Sequence, residues 1–152
     1  MRTVKDIIDS KSVPNNVIEP SALVIDALHK LMDVNLSYLI VKDGDSFKGI
    51  FSERDYSRNV LLKGRSSRTS NVEDAMTIDL PVVALADTVE HCMDMMSTHS
   101  ARYLLAFDGA RFEGVITIHD LLRQVLSNKE LVFDHTLAER LIDTAEGGGR
   151  IY

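Results

Sequence analysis

The stretch Gly49-Ile50-Phe51-Ser52-Glu53-Arg54-Asp55 returns as Gly114-Val115-Ile116-Thr117-Ile118-His119-Asp120, 65 residues further on. Each copy reads glycine, two apolar residues, a hydroxyl residue, two variable positions and an aspartate. The same spacing pairs Tyr38 with Tyr103, Asp43-Gly44 with Asp108-Gly109, Phe47 with Phe112, and Val17-Ile18 with Val82-Val83. An internal period decides the architecture before any single element does. Two copies are too few for a solenoid and enough for a pseudo-symmetric pair that closes on itself.

Working outward from the motif, each copy predicts strand, helix, strand, strand, helix. In the first copy Val17-Ile18 is a short strand ending at Pro20, and Ser21 is a candidate cap for the helix that follows. Val24, Ala27, Leu28, Leu31 and Met32 give that helix an apolar stripe. Tyr38-Leu39-Ile40-Val41 and Phe47-Lys48-Gly49-Ile50-Phe51 flank the turn Asp43-Gly44-Asp45 and predict a hairpin. Ser52 opens a second helix ending near Leu62. The second copy repeats this order, with Asp87 as the expected cap, Val89, Met93 and Met96 as the helical stripe, and a last helix from Thr117.

Short apolar turns precede the copies at Val4-Lys5-Asp6-Ile7-Ile8 and Val72-Glu73-Asp74-Ala75-Met76. Ser12, Pro14, Asn15 and Asn16 break the first. The expected division is residues 1–62 as the first repeat, 63–71 as a polar linker, 72–126 as the second repeat and 127–152 as a helical tail. In the tail, Leu131, Val132, Leu137, Leu141 and Ile142 give the helical pattern, and Gly147-Gly148-Gly149 ends it. The fold class is α+β (α/β). A parallel crossover and an antiparallel hairpin form each three-stranded sheet, and the expected arrangement packs the two repeats sheet to sheet.

The 152 residues suit one compact domain or two very small halves sharing a core. The net charge of −6 argues against general nucleic-acid binding. No apolar run approaches the roughly 20 residues that cross a bilayer, and no signal-like core follows Met1. Cys92 is the sole cysteine, which excludes an internal disulfide framework and makes a cytoplasmic location the default expectation. Arg54, Arg58, Lys63, Arg65 and Arg68 concentrate positive charge in one stretch. That stretch reads either as a solvated face or as a local site for a small anion.

The doubled motif has two chemical readings. Ser or Thr followed three residues later by Asp at a helix start is a capping box. The same residues also suit a nucleotide. The glycine permits close approach of a ligand or another backbone. The strand-to-helix turn attracts anions. The aspartate accepts from paired ribose hydroxyls, and the hydroxyl residue donates to ribose or phosphate oxygen. Arg54, Arg102 and Lys63 are candidates for neutralising phosphate.

With these residues in hand, about residues 4–126 resemble a tandem pair of cystathionine β-synthase (CBS) domains, a Bateman module. The doubled Gly-apolar-apolar-Ser/Thr-x-x-Asp motif, the Asp-Gly hairpin before each copy and the Val-x-Asp-x-Met element at Val72, Asp74 and Met76 carry the resemblance. The first copy departs from it at Asp6-Ile7-Ile8, which lacks the methionine. The resemblance implies binding of an adenosine derivative in clefts between the repeats: AMP or ATP, with ADP, NAD(H) or S-adenosylmethionine as further members of the class. It implies that Ser52 and Asp55 hold ribose and phosphate in one cleft and Thr117 and Asp120 in the other. Val17, Ile18, Val82 and Val83 would line adenine pockets. It further implies a homodimer formed through helices, a regulated protein partner and no catalytic activity.

The remaining chemistry is thin. His29, His91, His99, His119 and His135 show no metal spacing, though His119 lies inside the second motif as a surface residue or as a phosphate or dimer contact. Cys92 reads as a packing residue, and Met93, Met95 and Met96 as core or dimer-face filler. Tyr38 and Tyr103 read as packing at strand starts, with adenine stacking as the alternative. The leading functional expectation is a nucleotide sensor. A scaffold that regulates a partner such as a redox protein, with weak or no nucleotide binding, is the second. An enzyme is the third and lacks a nucleophile–base pair, a metal set or a phosphate loop.

Overall fold

The computed structural model describes residues 2–12, 15–127 and 139–144. Expectations for Pro14, Leu131, Val132, His135, Leu137 and Gly147-Gly148-Gly149 lie outside the described residues. The described residues form two compact units, one within residues 12–79 and one of those up to residue 11 with those from 80 onward.

In the unit of residues 12–79, β1 (Val17–Ile18), β2 (Tyr38–Asp43) and β3 (Ser46–Ser52) form a sheet in that order. The first pair is parallel, joined through helix α2 (Val24–Val34), and the second is an antiparallel hairpin with Tyr38 opposite Ser52. Gly44 turns the hairpin at φ +60°, which glycine adopts without steric cost. Helix α2 lays Val24, Ala27 and Leu31 against Leu39, Val41 and Phe51, and Val60, Val72 and Ala75 complete the core. The apolar stripe is narrower than its spacing predicts, because Met32 turns outward and is 70% exposed. The helix ends at Asn35 in the left-handed conformation (φ 53°).

The start of α2 differs from the expectation. Ser21 does not cap it; Leu23 holds the cap position, with no side-chain hydrogen bond. The first free N–H groups are met by main-chain carbonyls instead. Val24 N donates to Ser70 O and Ile25 N to Ser67 O, both at 2.9 Å. The polar stretch after Leu62 is therefore a hydrogen-bonded turn, with Thr69 N and Ser70 N donating to Ser66 O. The short helix α3 (Glu53–Tyr56) runs into a wider π-type turn over Ser57–Leu61, where Leu62 N donates to Ser57 O and Arg65 N to Val60 O.

In the other unit, β4 (Val82–Ala84), β5 (Tyr103–Asp108) and β6 (Arg111–Thr117) repeat the sheet, with Tyr103 opposite Thr117. Helix α4 (Val89–His99) buries Val89, Cys92, Met93 and Met96. Its cap is Thr88, whose hydroxyl accepts from His91 N at 3.1 Å, and not Asp87. The Asp87 carboxylate accepts from Ala84 N at 2.8 Å and so serves the preceding turn. Helix α5 (Ile118–Ser127) closes the repeat, residues 139–144 are helical, and Leu141 is fully buried in this core.

The two lead-in elements are exchanged. Helix α1 (Val4–Ser10) precedes the first motif in sequence and packs in the second unit, with Val4 and Ile7 in its core. The single 3-10 turn Val72–Asp74 precedes the second motif and packs in the first unit. Each ends against a motif glycine. Thr77 and Ile50 exchange both backbone hydrogen bonds, at 2.8 and 2.9 Å. A Cβ on Gly49 would stand 2.8 Å from Thr77 O and 3.0 Å from Met76 Sδ. A Cβ on Gly114 would stand 2.8 Å from Ile8 Cδ1. The glycines admit neighbouring chain, the second of the two roles open in the sequence.

Two outcomes follow for solution measurements. Gly49→Ala drives a methyl into a backbone oxygen that cannot turn aside, and overpacking of this kind costs about 1–3 kcal/mol. The melting temperature drops accordingly, and the Ile50 and Thr77 amides exchange faster while amides in β5 and β6 keep their wild-type protection. Cys92 is fully buried, and burial, reinforced by the nearby Asp87 charge, pushes its thiol up to about 12. The folded protein therefore stays inert to a disulfide-exchange reagent at neutral pH and reacts fully in urea.

Candidate functional site

Each motif sits where a strand runs into a helix, and the aspartate turns back to serve the strand end. In the first, β3 stays extended to Ser52 (φ −135°, ψ 168°) and α3 starts at Glu53. The Ser52 hydroxyl accepts from Asp55 N at 3.3 Å. Asp55 Oδ2 accepts from Ser52 N at 2.8 Å and from the Ser52 hydroxyl at 3.0 Å. Its Oδ1 accepts from the Thr77 hydroxyl at 2.5 Å. Burial raises the Asp55 pKa above the usual carboxylate range, while the bonds from Thr77 and Ser52 and the Arg54 charge pull it down. The folded state thus holds this proton to higher pH than the unfolded chain, and stability falls as pH rises through that window.

The second motif repeats the reciprocal pair. Thr117 N donates to Asp120 Oδ2 at 2.8 Å, and Asp120 N donates to the Thr117 hydroxyl at 3.1 Å. Its further partner is different. Lys11 Nζ reaches the same Oδ2 at 2.9 Å and also donates to Val115 O at 2.8 Å. The Lys11 side chain is 17% exposed and that of Asp120 5%. Arg123 stands over Asp120 Oδ1 at 3.8 Å, outside hydrogen-bond range, with a largely exposed side chain. The capping reading of the sequence therefore holds at both motifs. A carboxylate has two oxygens, so capping alone does not use it up.

The sheets bring other expected residues to the motif ends. Val17 lies opposite Ile40, which lies opposite Ile50, so β1 starts near the Ser52 end of the sheet with one strand between. Two strand spacings are about 10 Å, the span of a nucleoside. Val82, Leu105 and Val115 repeat this register. Val17 and Val82 are partly exposed, at 37% and 53%. Ile18 packs against the core and Val83 is buried within it, so their side chains face inward. Arg54 and Arg102 are half-buried, and His119 is exposed. Lys63 is exposed, past the end of the helical turns that start at Glu53.

Sequence reading missed Lys11 and Thr77. Both lie on the exchanged lead-ins, outside the motif, and only the fold brings them to a motif aspartate. An open depression of about 450 Å³ near Met76 is lined by Glu19, Asp43, Glu73 and Lys48 among others, and its carboxylates disfavour a phosphate. Among the described residues, no group of three His, Cys, Asp or Glu side chains is placed to hold a metal ion. Nor is any helix there long and apolar enough to cross a membrane.

Comparison with known proteins agrees with this geometry. The family model "CBS domain" matches residues 4–61 and again 72–127. The Arabidopsis thaliana CBS domain-containing protein CBSX3, mitochondrial, is 29% identical over 108 residues, covering 68% of this chain. This chain spans 52% of that relative's length. A solved protein with CBS domains from Burkholderia ambifaria MC40-6 is 33% identical, with TM-score 0.76, over 84% of this chain and 96% of its own. The structure of CBSX2 in complex with AMP is 25% identical, with TM-score 0.65, over 84% of this chain and 98% of its own. Two matched repeats, each with a three-stranded sheet ending in a hydroxyl–carboxylate cap, make this chain a member of the CBS-domain family.

Proposed function

We propose that this chain is an adenine-nucleotide-binding regulatory module. The observation that carries the reading is the doubled hydroxyl–carboxylate cradle at Ser52/Asp55 and Thr117/Asp120, matched to a family in which a solved relative holds AMP. In this reading AMP or ATP is the ligand. The ribose meets a motif aspartate, and the hydroxyl residue, Arg54, Arg102 or His119 meets phosphate. Val17 and Val82 offer partly exposed apolar surface to the adenine. Binding is the function and no catalytic step is assigned. A cytoplasmic setting keeps the lone thiol of Cys92 reduced.

The readout is a protein surface. Met32 on α2, Leu61 and Leu62 after α3, and Leu126 on α5 are exposed by 56% or more, which supports self-association through helices, as a homodimer. A second reading, docking of a protein partner with little nucleotide dependence, is favoured by the segment after α3. Arg58, Lys63, Arg65 and Arg68 are exposed on a hydrogen-bonded turn of an acidic chain, beside Leu61 and Leu62. An acidic partner suits that segment.

A thermal-shift series separates the two. A ligand present at 100 times its Kd adds about 2.7 kcal/mol, several degrees of melting temperature. AMP or ATP should produce that shift. The double variant Asp55→Asn with Asp120→Asn should abolish it, because the amide keeps one oxygen for the cap and turns the other acceptor into a donor. An unchanged shift in the double variant rejects the site, and no shift with AMP, ADP, ATP, NAD(H) or S-adenosylmethionine favours partner docking.

A further inference from the structure

The two motifs match in sequence and differ in which carboxylate oxygen is taken. Asp55 has both oxygens engaged: Oδ2 by Ser52 N and the Ser52 hydroxyl, Oδ1 by the Thr77 hydroxyl. Asp120 has its partners on Oδ2, from Thr117 N and Lys11 Nζ. Among the described residues, its Oδ1 has only the Arg123 guanidinium at 3.8 Å, too far for a hydrogen bond and on a side chain that is 67% exposed and able to swing away. We infer that the second motif, through Asp120 Oδ1, is the nucleoside acceptor of this chain, and that the Thr77 hydroxyl closes the first motif at Asp55 Oδ1. The inference rests on the adenine-nucleotide reading and assigns that reading to one motif.

Thr77 is held where it is. Its backbone is bonded in both directions to Ile50, and the missing Cβ of Gly49 makes room for its carbonyl. A β-branched side chain has few rotamers to escape into. A ribose hydroxyl arriving at Asp55 Oδ1 would have to crowd or displace the hydroxyl already there, and a displaced hydroxyl loses its partner. Among the described residues, no hydroxyl stands at Asp120 Oδ1 in this way. Charge points the same way. Lys11 neutralises Asp120 by direct contact, so a phosphate-bearing ligand is not repelled there, whereas the direct partners of Asp55 are two hydroxyls and an amide.

Isothermal titration with AMP and with 2′-deoxy-AMP tests this on wild type, Asp120→Asn, Asp55→Asn, Thr77→Val and Thr77→Ala. Circular dichroism and melting without ligand verify that each is folded. Wild type should bind one AMP per chain, and 2′-deoxy-AMP should bind about tenfold more weakly or worse, having lost one hydroxyl of the diol. Asp120→Asn should lose binding while Asp55→Asn keeps it within about threefold. Thr77→Val, or Thr77→Ala should valine disturb the packing, should bind a second AMP. Two equivalent AMP molecules on wild type, loss in Asp55→Asn with retention in Asp120→Asn, or a Thr77 variant that stays at one AMP overturns the inference and leaves the nucleotide reading standing. No AMP binding by any folded variant overturns the nucleotide reading and this assignment with it.

Discussion

A buried carboxylate has to be met by donors, and in this protein that demand shapes each unit. Asp55 and Asp120 are 8% and 6% exposed. Left unmatched, a buried charge costs several kcal/mol. The strand-end amide supplies part of the demand in each case, and at Asp55 the Ser52 hydroxyl adds to it. The rest comes from a lead-in element that is distant in sequence, through Thr77 in one unit and Lys11 in the other. The carboxylate therefore does more than cap a helix. It ties the strand end, the helix start and the lead-in at one point.

That tie explains the glycines and the exchange. A three-stranded sheet of two to seven residues per strand offers little area and has unpaired edges. In the first unit the lead-in adds a backbone bridge at Ile50 and brings Val72 and Ala75 into the core. In the second, α1 contributes Val4 and Ile7 and packs Ile8 over Gly114. A side chain at Gly49 or Gly114 would stand in the way of the segment that carries the carboxylate's remaining donor. Position 49 is thus coupled to position 55 through Thr77, and position 114 to position 120 through the segment that ends at Lys11.

Much of this was legible. The 65-residue period, the hairpins and the helix stripes follow from alternation, from Asp-Gly turns and from hydroxyl–aspartate spacing, all of which are local. Non-local pairing was not legible. Lys11 and Asp120 are 109 positions apart, and Thr77 and Asp55 are 22 apart across a stretch without periodicity. The caps fail for related reasons. Ser21 looked like a cap because its side chain can act as one, yet the first N–H groups of α2 are met by the carbonyls of Ser67 and Ser70. At α4, two adjacent residues were competent, and the neighbouring turn claimed the carboxylate of Asp87 and left Thr88 for the helix.

The symmetry of the sequence conceals an asymmetry of chemistry. Two copies of one motif meet the same structural need with partners of unlike charge, a hydroxyl in one case and an ammonium in the other. The hydroxyl goes to the oxygen that the cap leaves over, and the ammonium shares the oxygen that the cap already uses. The first solution completes the carboxylate as a structural group. The second leaves half of it outside the cap, with its charge already balanced. A duplicated fold can divide labour in this way without altering its signature, because the residues that differ lie on the exchanged segments and not within the motif.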